Sequence, residues 1–200
     1  MGNTDKFELI ADIYDTPERI RIGKVSSNAI REYLAGAENK NAIDFGCGTG
    51  LVGMNLLDDF KSILFLDTSQ NMINQVNQKI SGSNVQNAAA LCFDFEKDSL
   101  SDLQTDYIFM VQVLLHIRDF KSVLLKLYDV LNPGGHLIII DFNKNHEVVS
   151  DLVHNGFDQE KLAKDLLEIG FKHIRSRTFH KGSNLFMGRD ASLFILDSQK

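Results

Sequence analysis

The chain has 200 residues, of which 44% are hydrophobic and 24% are charged, and its formal net charge is −6. This length and composition fit one globular domain, residues 1–200, with a sizeable core. General nucleic-acid binders usually carry a basic surface, so the acidic balance argues against nucleic acid as a partner. No stretch approaches the roughly 18 apolar residues of a membrane span, and the N-terminus lacks a secretory signal. We therefore expect a cytoplasmic protein without membrane contacts, a monomer or homodimer.

The N-terminal segment, residues 5–35, carries apolar side chains at helical spacing and has a break near Thr16-Pro17. Because this segment precedes the first predicted strand, the core of residues 41–200 does not require it. From this pattern alone, residues 1–40 are expected to form helices that cap that core.

The rest of the chain alternates short apolar strands with amphipathic helices, which indicates repeated βαβ units and a parallel sheet. Strands are predicted at residues 41–46, 62–67, 87–93, 105–111 and 135–142. Between the last two, Asp119 is placed to cap a helix that ends before Asn132-Pro133. Residues 171–179 and 191–197 alternate apolar and polar side chains with no helix between them, which predicts an antiparallel hairpin.

The first predicted strand runs into a glycine turn, Asp44-Phe-Gly46-Cys-Gly48-Thr-Gly50. Glycines let backbone N–H groups approach a ligand, and the following helix start favours negative charge. Gly48-x-Gly50-x-x-Gly53 matches the dinucleotide fingerprint, although a purely structural turn is the alternative. Asp44 distinguishes the ligands, because a buried carboxylate suits an ammonium group better than a pyrophosphate.

Polar residues follow the other predicted strands at the same edge of the sheet. Asp67 lies 19 residues past Gly48 (67 − 48), the spacing at which an acid meets ribose hydroxyls. That spacing fits NAD and an adenosyl ribose equally well. Asp94 and Val111 also fall at strand ends, so these residues should converge on one crevice.

These motifs together resemble the class I S-adenosylmethionine-dependent methyltransferase family. Asp44-Phe-Gly-Cys-Gly-Thr-Gly looks like its first motif, and Asp67-Thr68-Ser69 with Met72 is similar to its second. Asp94-Phe95 and Leu131-Asn132-Pro133-Gly134-Gly135 look like later landmarks, so that the likeness covers roughly residues 7–198. It implies a three-layer α/β/α Rossmann-like fold, a seven-stranded, mostly parallel sheet with an antiparallel last strand, and S-adenosyl-L-methionine as cofactor. It also implies that the helices of residues 1–40 fold over the cofactor as a lid. The cofactor-binding residues it implies are Tyr14, Asp44, Gly46, Cys47, Gly48, Gly50, Asp67, Thr68, Met72, Asp94, Phe95 and Val111.

Methyl transfer needs a positioned acceptor and, for an O–H or N–H acceptor, a place for the proton. His116 follows the fourth predicted strand and is the catalytic candidate, in a segment where the family often has two histidines and this chain has Leu115 first. We expect a small-molecule acceptor. The rival functions are an NAD-dependent oxidoreductase, which Asp44 and the terminal hairpin disfavour, and a non-catalytic cofactor-binding regulatory module.

Two further patterns concern cysteines and charge. Cys47 and Cys92 fall in the glycine turn and at a buried strand end, so we expect free thiols that fill space in a reducing compartment. No Cys or His pair has zinc-ligand spacing, and no metal site is expected. Residues 171–200 hold six Lys or Arg against two Asp, which indicates either a solvated sheet edge or a rim for an anionic substrate.

Overall fold

The computed structural model describes residues 4–94 and 103–200 of the chain. Seven strands are found in these ranges: β1 Asn41–Phe45, β2 Ser62–Asp67, β3 Ala88–Cys92, β4 Thr105–Val111, β5 Leu131–Phe142, β6 Lys172–Phe186 and β7 Arg189–Gln199. They form one sheet in the order β3-β2-β1-β4-β5-β7-β6. The α-helices are α1 Thr4–Ile10, α2 Pro17–Arg31, α3 Gln70–Gly82, α4 Phe120–Val130 and α5 Gln159–Ile169.

The sheet confirms the predicted fold class. β1 pairs in parallel with β2 and β4, and β4 pairs in parallel with β5. β7 lies between β5 and β6 and is antiparallel to both. Because a parallel sheet must be covered on both faces, the middle of β4 is completely buried at Ile108, Phe109 and Met110.

Side-chain caps define several helix starts, including the one predicted at Asp119. Thr16 accepts a hydrogen bond from the Arg19 N–H at 3.3 Å, and Pro17 occupies the first position of α2. Asp119 Oδ1 accepts a hydrogen bond from the Ser122 N–H and caps the start of α4, as predicted from the sequence. Asp158 caps α5 in the same way. Each cap satisfies an N–H group that the helix itself leaves unpaired.

The helix predicted after the glycine turn differs from expectation, because residues Gly53–Asp59 form a 3₁₀ helix and not a regular α-helix. The Asn55 N–H bonds to the Val52 carbonyl, while the Asn55 side chain takes the Leu51 carbonyl. Arg31 of α2 donates to the Asn55 carbonyl. Acceptors that an α-helix would use are therefore diverted to side chains, and the tighter turn results.

The segment before β1 is helical, as predicted, and consists of α1, a 3₁₀ turn at Ala11–Ile13, and α2. α1 packs on α3, at the edge of the sheet where the parallel strands end. Of the helices in residues 4–94 and 103–200, none combines the length and apolar character that spanning a bilayer requires.

Candidate functional site

The glycine turn after β1 forms the floor of the site. Gly46 and Gly48 have φ of +67° and +53°, which L side chains rarely adopt. A Cβ on Gly46 would lie 2.6 Å from Val113 Cγ2, so that position has no room for a side chain. The turn is fixed to the neighbouring strand, since the Cys47 N–H donates to the Leu66 carbonyl at 2.9 Å. Backbone is thereby brought to the surface that a cofactor would contact.

Asp67, at the end of β2, is tied directly to that turn. Its Oδ2 accepts the Gly48 N–H at 2.8 Å, and its Oδ1 accepts the Ser69 N–H at 2.9 Å. Burial raises the pKa of Asp67, although these backbone N–H groups oppose the rise. A carboxylate has about four acceptor positions, so both oxygens retain capacity for the hydroxyls of a ribose.

Asp44 lies beneath the turn and is 2% exposed. Its Oδ2 accepts one N–H, that of Gly53, at 3.0 Å. Burial raises the pKa of Asp44 to about 8, and this hydrogen bond opposes the rise. One hydrogen bond does not offset the cost of burying the ionised carboxylate, and a nearby cation would stabilise that ionised form. Asp44 therefore suits the ammonium group of an amino-acid ligand.

Residues 4–16, named the lid below after the predicted role, lie at the carboxyl edge of the sheet and bring two aromatic rings over it. Tyr14 lies above the glycine turn, where a Cβ on Gly48 would be 3.7 Å from Tyr14 Cε1. Phe7 packs edge-on against Tyr14 and His116, with ring centroids 6.3 and 5.2 Å apart. Burial raises the pKa of Tyr14, while Arg19 stacked on its ring lowers it. Lid residues therefore connect the predicted cofactor turn with the predicted catalytic histidine.

Acidic side chains hold the lid on the core. Glu8 accepts the Gln70 and Asn71 N–H groups at the start of α3, at 2.6 and 3.2 Å. Asp15 accepts the Thr49 hydroxyl at 2.5 Å and pairs with Lys79 at 2.7 Å. These contacts join the lid to the glycine turn and to the helix that follows Asp67. A carboxylate at a helix N-terminus is favoured by the unpaired N–H groups there.

His116 ends the short 3₁₀ helix Leu114–His116 beside the lid. Burial, with a smaller contribution from Lys6, lowers the pKa of His116 to about 4, so its imidazole is neutral at pH 7. Asp141 of β5 fixes this segment, because its Oδ2 accepts the Leu115 N–H at 3.1 Å. Burial raises the pKa of Asp141 to about 7, against its backbone hydrogen bonds.

The remaining predicted residues lie around the same edge. Thr68 is exposed after Asp67, Asp94 is half-buried beyond β3, and Val111 ends β4. Met72 is completely buried, and Gly50 and the half-buried Cys47 lie in the turn. Burial raises the pKa of the Cys47 thiol well above its usual range. Phe95 lies outside the described residues, and within the described ranges no cluster of acids, His or Cys is suited to a metal.

Several residues of the site were not predicted from the sequence, namely Phe7, Glu8, Val113 and Asp141. For Asp141 a signal exists, because it ends the apolar run Ile138-Ile139-Ile140 as Asp67 ends its own strand. Glu8 carries no such signal, since its role depends on the packing of α1 against α3.

Comparisons with known proteins agree with this geometry. A family model described as a methyltransferase domain matches residues 43–137. An uncharacterized methyltransferase of Schizosaccharomyces pombe is 29% identical over 226 aligned residues, covering 93% of this chain and 76% of the relative. The tRNA 5-carboxymethoxyuridine methyltransferase of Escherichia coli is 27% identical over 125 residues, covering 62% of this chain. The chain spans 48% of that enzyme's length.

Among solved structures, an N-methyltransferase, NodS of Bradyrhizobium japonicum in complex with S-adenosyl-L-homocysteine, superposes with a TM-score of 0.76. The two chains are 17% identical, and the match covers 100% of this chain and 99% of that one. A magnesium protoporphyrin IX methyltransferase of Synechocystis gives a TM-score of 0.75 at 16% identity, over 99% and 95% of the two chains. At such identities the likeness establishes the fold.

Proposed function

We propose that this chain is a class I S-adenosylmethionine-dependent methyltransferase and that its acceptor is a small molecule. The match to a methyltransferase-domain model, the methyltransferase relative and the shared fold support the assignment of the methyl donor. The acceptor enters between the lid and the segment that carries His116. The observation that carries this proposal is the acidic lid across the crevice. Residues 5–15 contain four acids, Asp5, Glu8, Asp12 and Asp15, against the single basic residue Lys6.

The cofactor end of the crevice is suited to a cation. Asp67 receives the ribose hydroxyls, Asp44 the ammonium group, and Tyr14 covers the turn. When bound, the cofactor supplies an electrophilic methyl group on a sulfonium ion. The protein contributes alignment and exclusion of water, and positioning alone can supply about 7–11 kcal/mol of such a barrier.

His116 acts on the acceptor and not on the cofactor. With a pKa of about 4, His116 is too weak a base to remove a proton efficiently at pH 7, because general bases work best when their pKa is near the working pH. A neutral imidazole nevertheless accepts a hydrogen bond and adds no positive charge beside the sulfonium. We therefore assign His116 the orientation of the acceptor's O–H or N–H group.

A polyanionic acceptor is disfavoured by the lid. An RNA phosphate backbone that approached the crevice would meet the lid carboxylates, and basic side chains are what such backbones require. The tRNA-modifying relative from Escherichia coli makes RNA the alternative to be tested. It aligns with 62% of this chain, and what it methylates is a property of that enzyme.

The test supplies the chain with radiolabelled S-adenosylmethionine and two acceptor pools, a cell extract filtered to small metabolites and bulk tRNA. We expect label in the small-metabolite pool, and little in acid-precipitable RNA. The matched control is Asp67→Ala, which should abolish transfer to either pool by removing the ribose contact. Label confined to tRNA would overturn the small-molecule proposal while leaving the family assignment intact.

A further inference from the structure

A second concave surface lies beside the crevice, near the turn of the β6–β7 hairpin. It is a cavity of about 530 Å³ between that hairpin and the loop that follows β5. This volume is within the range of small-molecule sites. Its polar lining consists of Lys144, Asn145, Lys181, Ser183, Asp190 and Ser192.

Hydrogen bonds fix the walls of this cavity to each other. The Asn145 side-chain amide donates to the Asp190 carbonyl at 2.9 Å, which joins the loop to the hairpin. The Asn143 amide donates to Ser192 Oγ at 2.9 Å. The loop is also anchored at its far end, since the Lys144 N–H donates to the Phe157 carbonyl. These hydrogen bonds hold the loop and the hairpin in a fixed relation, so the shape of the cavity is defined by the fold.

The two lysines of the cavity, Lys144 and Lys181, carry positive charges that no described acidic group pairs with. Within residues 4–94 and 103–200, neither the Lys144 nor the Lys181 ammonium group has an ion-pair or side-chain hydrogen-bond partner. The nearby carboxylate of Asp190 accepts the Asn184 N–H at 3.1 Å. Two unpaired lysines in one concavity contrast with the net charge of −6 of the whole chain and attract an anion.

The cavity opens at the same edge of the sheet as the cofactor crevice. Along that edge the order β4-β5-β7-β6 separates the end of β4 from β6, the strand that carries Lys181, by three strand spacings, which is about 14 Å. The His116 segment leads toward it, because the His154 N–H donates to the Leu115 carbonyl and His154 packs on Phe157. An elongated acceptor could reach from His116 to the lysines.

We propose that Lys144 and Lys181 bind an anionic group, a carboxylate or phosphate, at the end of the acceptor remote from the methylated atom. This inference rests on the proposed function and specifies its substrate class. The carboxyl edge of the sheet then carries negative charge at the cofactor end and positive charge at the hairpin end. Acids lie over the cationic cofactor, and lysines lie where the acceptor's anion binds. The basic balance of residues 171–200 then serves substrate binding at Lys181.

The test begins with binding, so that it does not depend on knowing the acceptor. Inorganic phosphate and benzoate are titrated separately into the ¹⁵N-labelled chain, to compare a phosphate with a carboxylate. We expect saturable amide shifts at residues 144–145, 181–183 and 190–192 with at least one of the two probes. The double variant Lys144→Gln/Lys181→Gln should weaken that binding about tenfold, since charge-assisted contacts are lost. The matched control, Lys24→Gln/Lys61→Gln, removes two exposed lysines elsewhere and should bind as the wild type does.

Shifts that are absent, or equal in the wild type and the Lys144→Gln/Lys181→Gln variant, would overturn the anion site. A second arm uses the acceptor identified from the metabolite pool. There the double variant should raise KM about tenfold with kcat unchanged, because the lysines are remote from the reacting atoms. An acceptor without an anionic group would also overturn the inference. Label found only in tRNA would overturn the proposed function instead, and the phosphate and benzoate titrations would still decide whether the cavity binds anions.

Discussion

Asp67 Oδ2 accepts the Gly48 N–H at 2.8 Å, so the residue assigned to the ribose also holds the glycine turn in place. We expect Asp67→Ala to weaken S-adenosylhomocysteine binding about 100-fold, because charge-assisted hydrogen bonds are lost. It should also lower the free energy of unfolding by about 1–3 kcal/mol, since the Gly48 and Ser69 N–H groups lose their acceptor. Calorimetric titration and denaturant unfolding measure the two effects.

The matched control for that substitution is Asp106→Ala. Asp106 also accepts a backbone N–H, that of Asn41 at 3.1 Å, but it lies at the opposite, amino-terminal edge of the sheet. This variant should lose stability and retain the wild-type affinity. An equal loss of affinity in both variants would show that general destabilisation, and not the ribose contact, causes the effect at Asp67.

The buried acid Asp44 should couple cofactor binding to proton release. With a pKa of about 8 in the free protein, Asp44 is mostly protonated at pH 7, and the cofactor's ammonium favours its ionised form. We expect close to one proton to be released per cofactor bound at pH 7. Titration calorimetry in phosphate and Tris, whose ionisation enthalpies differ, measures that number. Asp44→Asn should release none, Asp141→Asn should behave as the wild type, and buffer-independent enthalpies in the wild type would refute the coupling.

The same acids should shape the stability of the cofactor-free chain. Asp44 and Asp141 have folded-state pKa values of about 8 and about 7, above the unfolded value near 3.9. Between about pH 4 and those values the folded chain binds more protons than the unfolded chain, so stability falls as pH rises, by up to about 1.4 kcal/mol per pH unit per group. His116 acts oppositely between about pH 4 and 6.5. Two acids outweigh one imidazole, and urea unfolding at pH 5 and pH 8 should show greater stability at pH 5.

The lid determines the protonation of His116. Phe7 packs on the imidazole at 5.2 Å, and burial is the main cause of its lowered pKa. In the wild type the His116 ring resonances should not titrate between pH 5 and 8. Phe7→Ala should raise the pKa toward the ordinary value of about 6.5, because water reaches the ring. The control is Leu9→Ala, whose side chain on the same helix is 86% exposed, and an unchanged pKa in Phe7→Ala would mean that the lid does not cover His116.

Glu8 should govern how often the lid opens. Its carboxylate caps α3 through the Gln70 and Asn71 N–H groups, and losing a cap costs about 1 kcal/mol. Glu8→Ala should therefore speed amide hydrogen exchange in residues 7–13 about fivefold and accelerate cofactor release. Glu18→Ala removes an exposed acid of α2 that pairs with Arg21, and exchange in residues 7–13 should not change. Equal exchange rates in Glu8→Ala and the wild type would show that the contacts of Glu8 with α3 do not limit opening of the lid.

Local sequence patterns predicted the features that depend on neighbouring residues. The strand that ends at Asp67 was predicted at residues 62–67 and is found there, since apolar runs and turns are local signals. The convergence of Asp44 and Asp67 followed from parallel pairing, which places strand ends together. Side-chain caps such as Asp119 were readable for the same reason.

Features that depend on contacts between distant segments were not readable. The 3₁₀ helix Gly53–Asp59 arises partly because Arg31 of α2 takes a carbonyl that an α-helix would use. The pKa values of Asp44 and His116 depend on burial by elements far away in sequence. The cavity at Lys144 and Lys181 forms only where the loop after β5 packs against the hairpin. The local sequence of either segment does not predict that contact.

The position of β7 between β5 and β6 has a consequence for synthesis on the ribosome. Until β7 has left the exit tunnel, β5 lacks one neighbour and β6 has no partner in the sheet. The strands that carry Asp44 and Asp67 are complete much earlier, so the cofactor half can form first as the chain emerges. The proposed anion site, which includes Lys181 of β6, is assembled only when β7 pairs with β6. On this order of emergence, the proposed methyl-donor site would form before the proposed anion site.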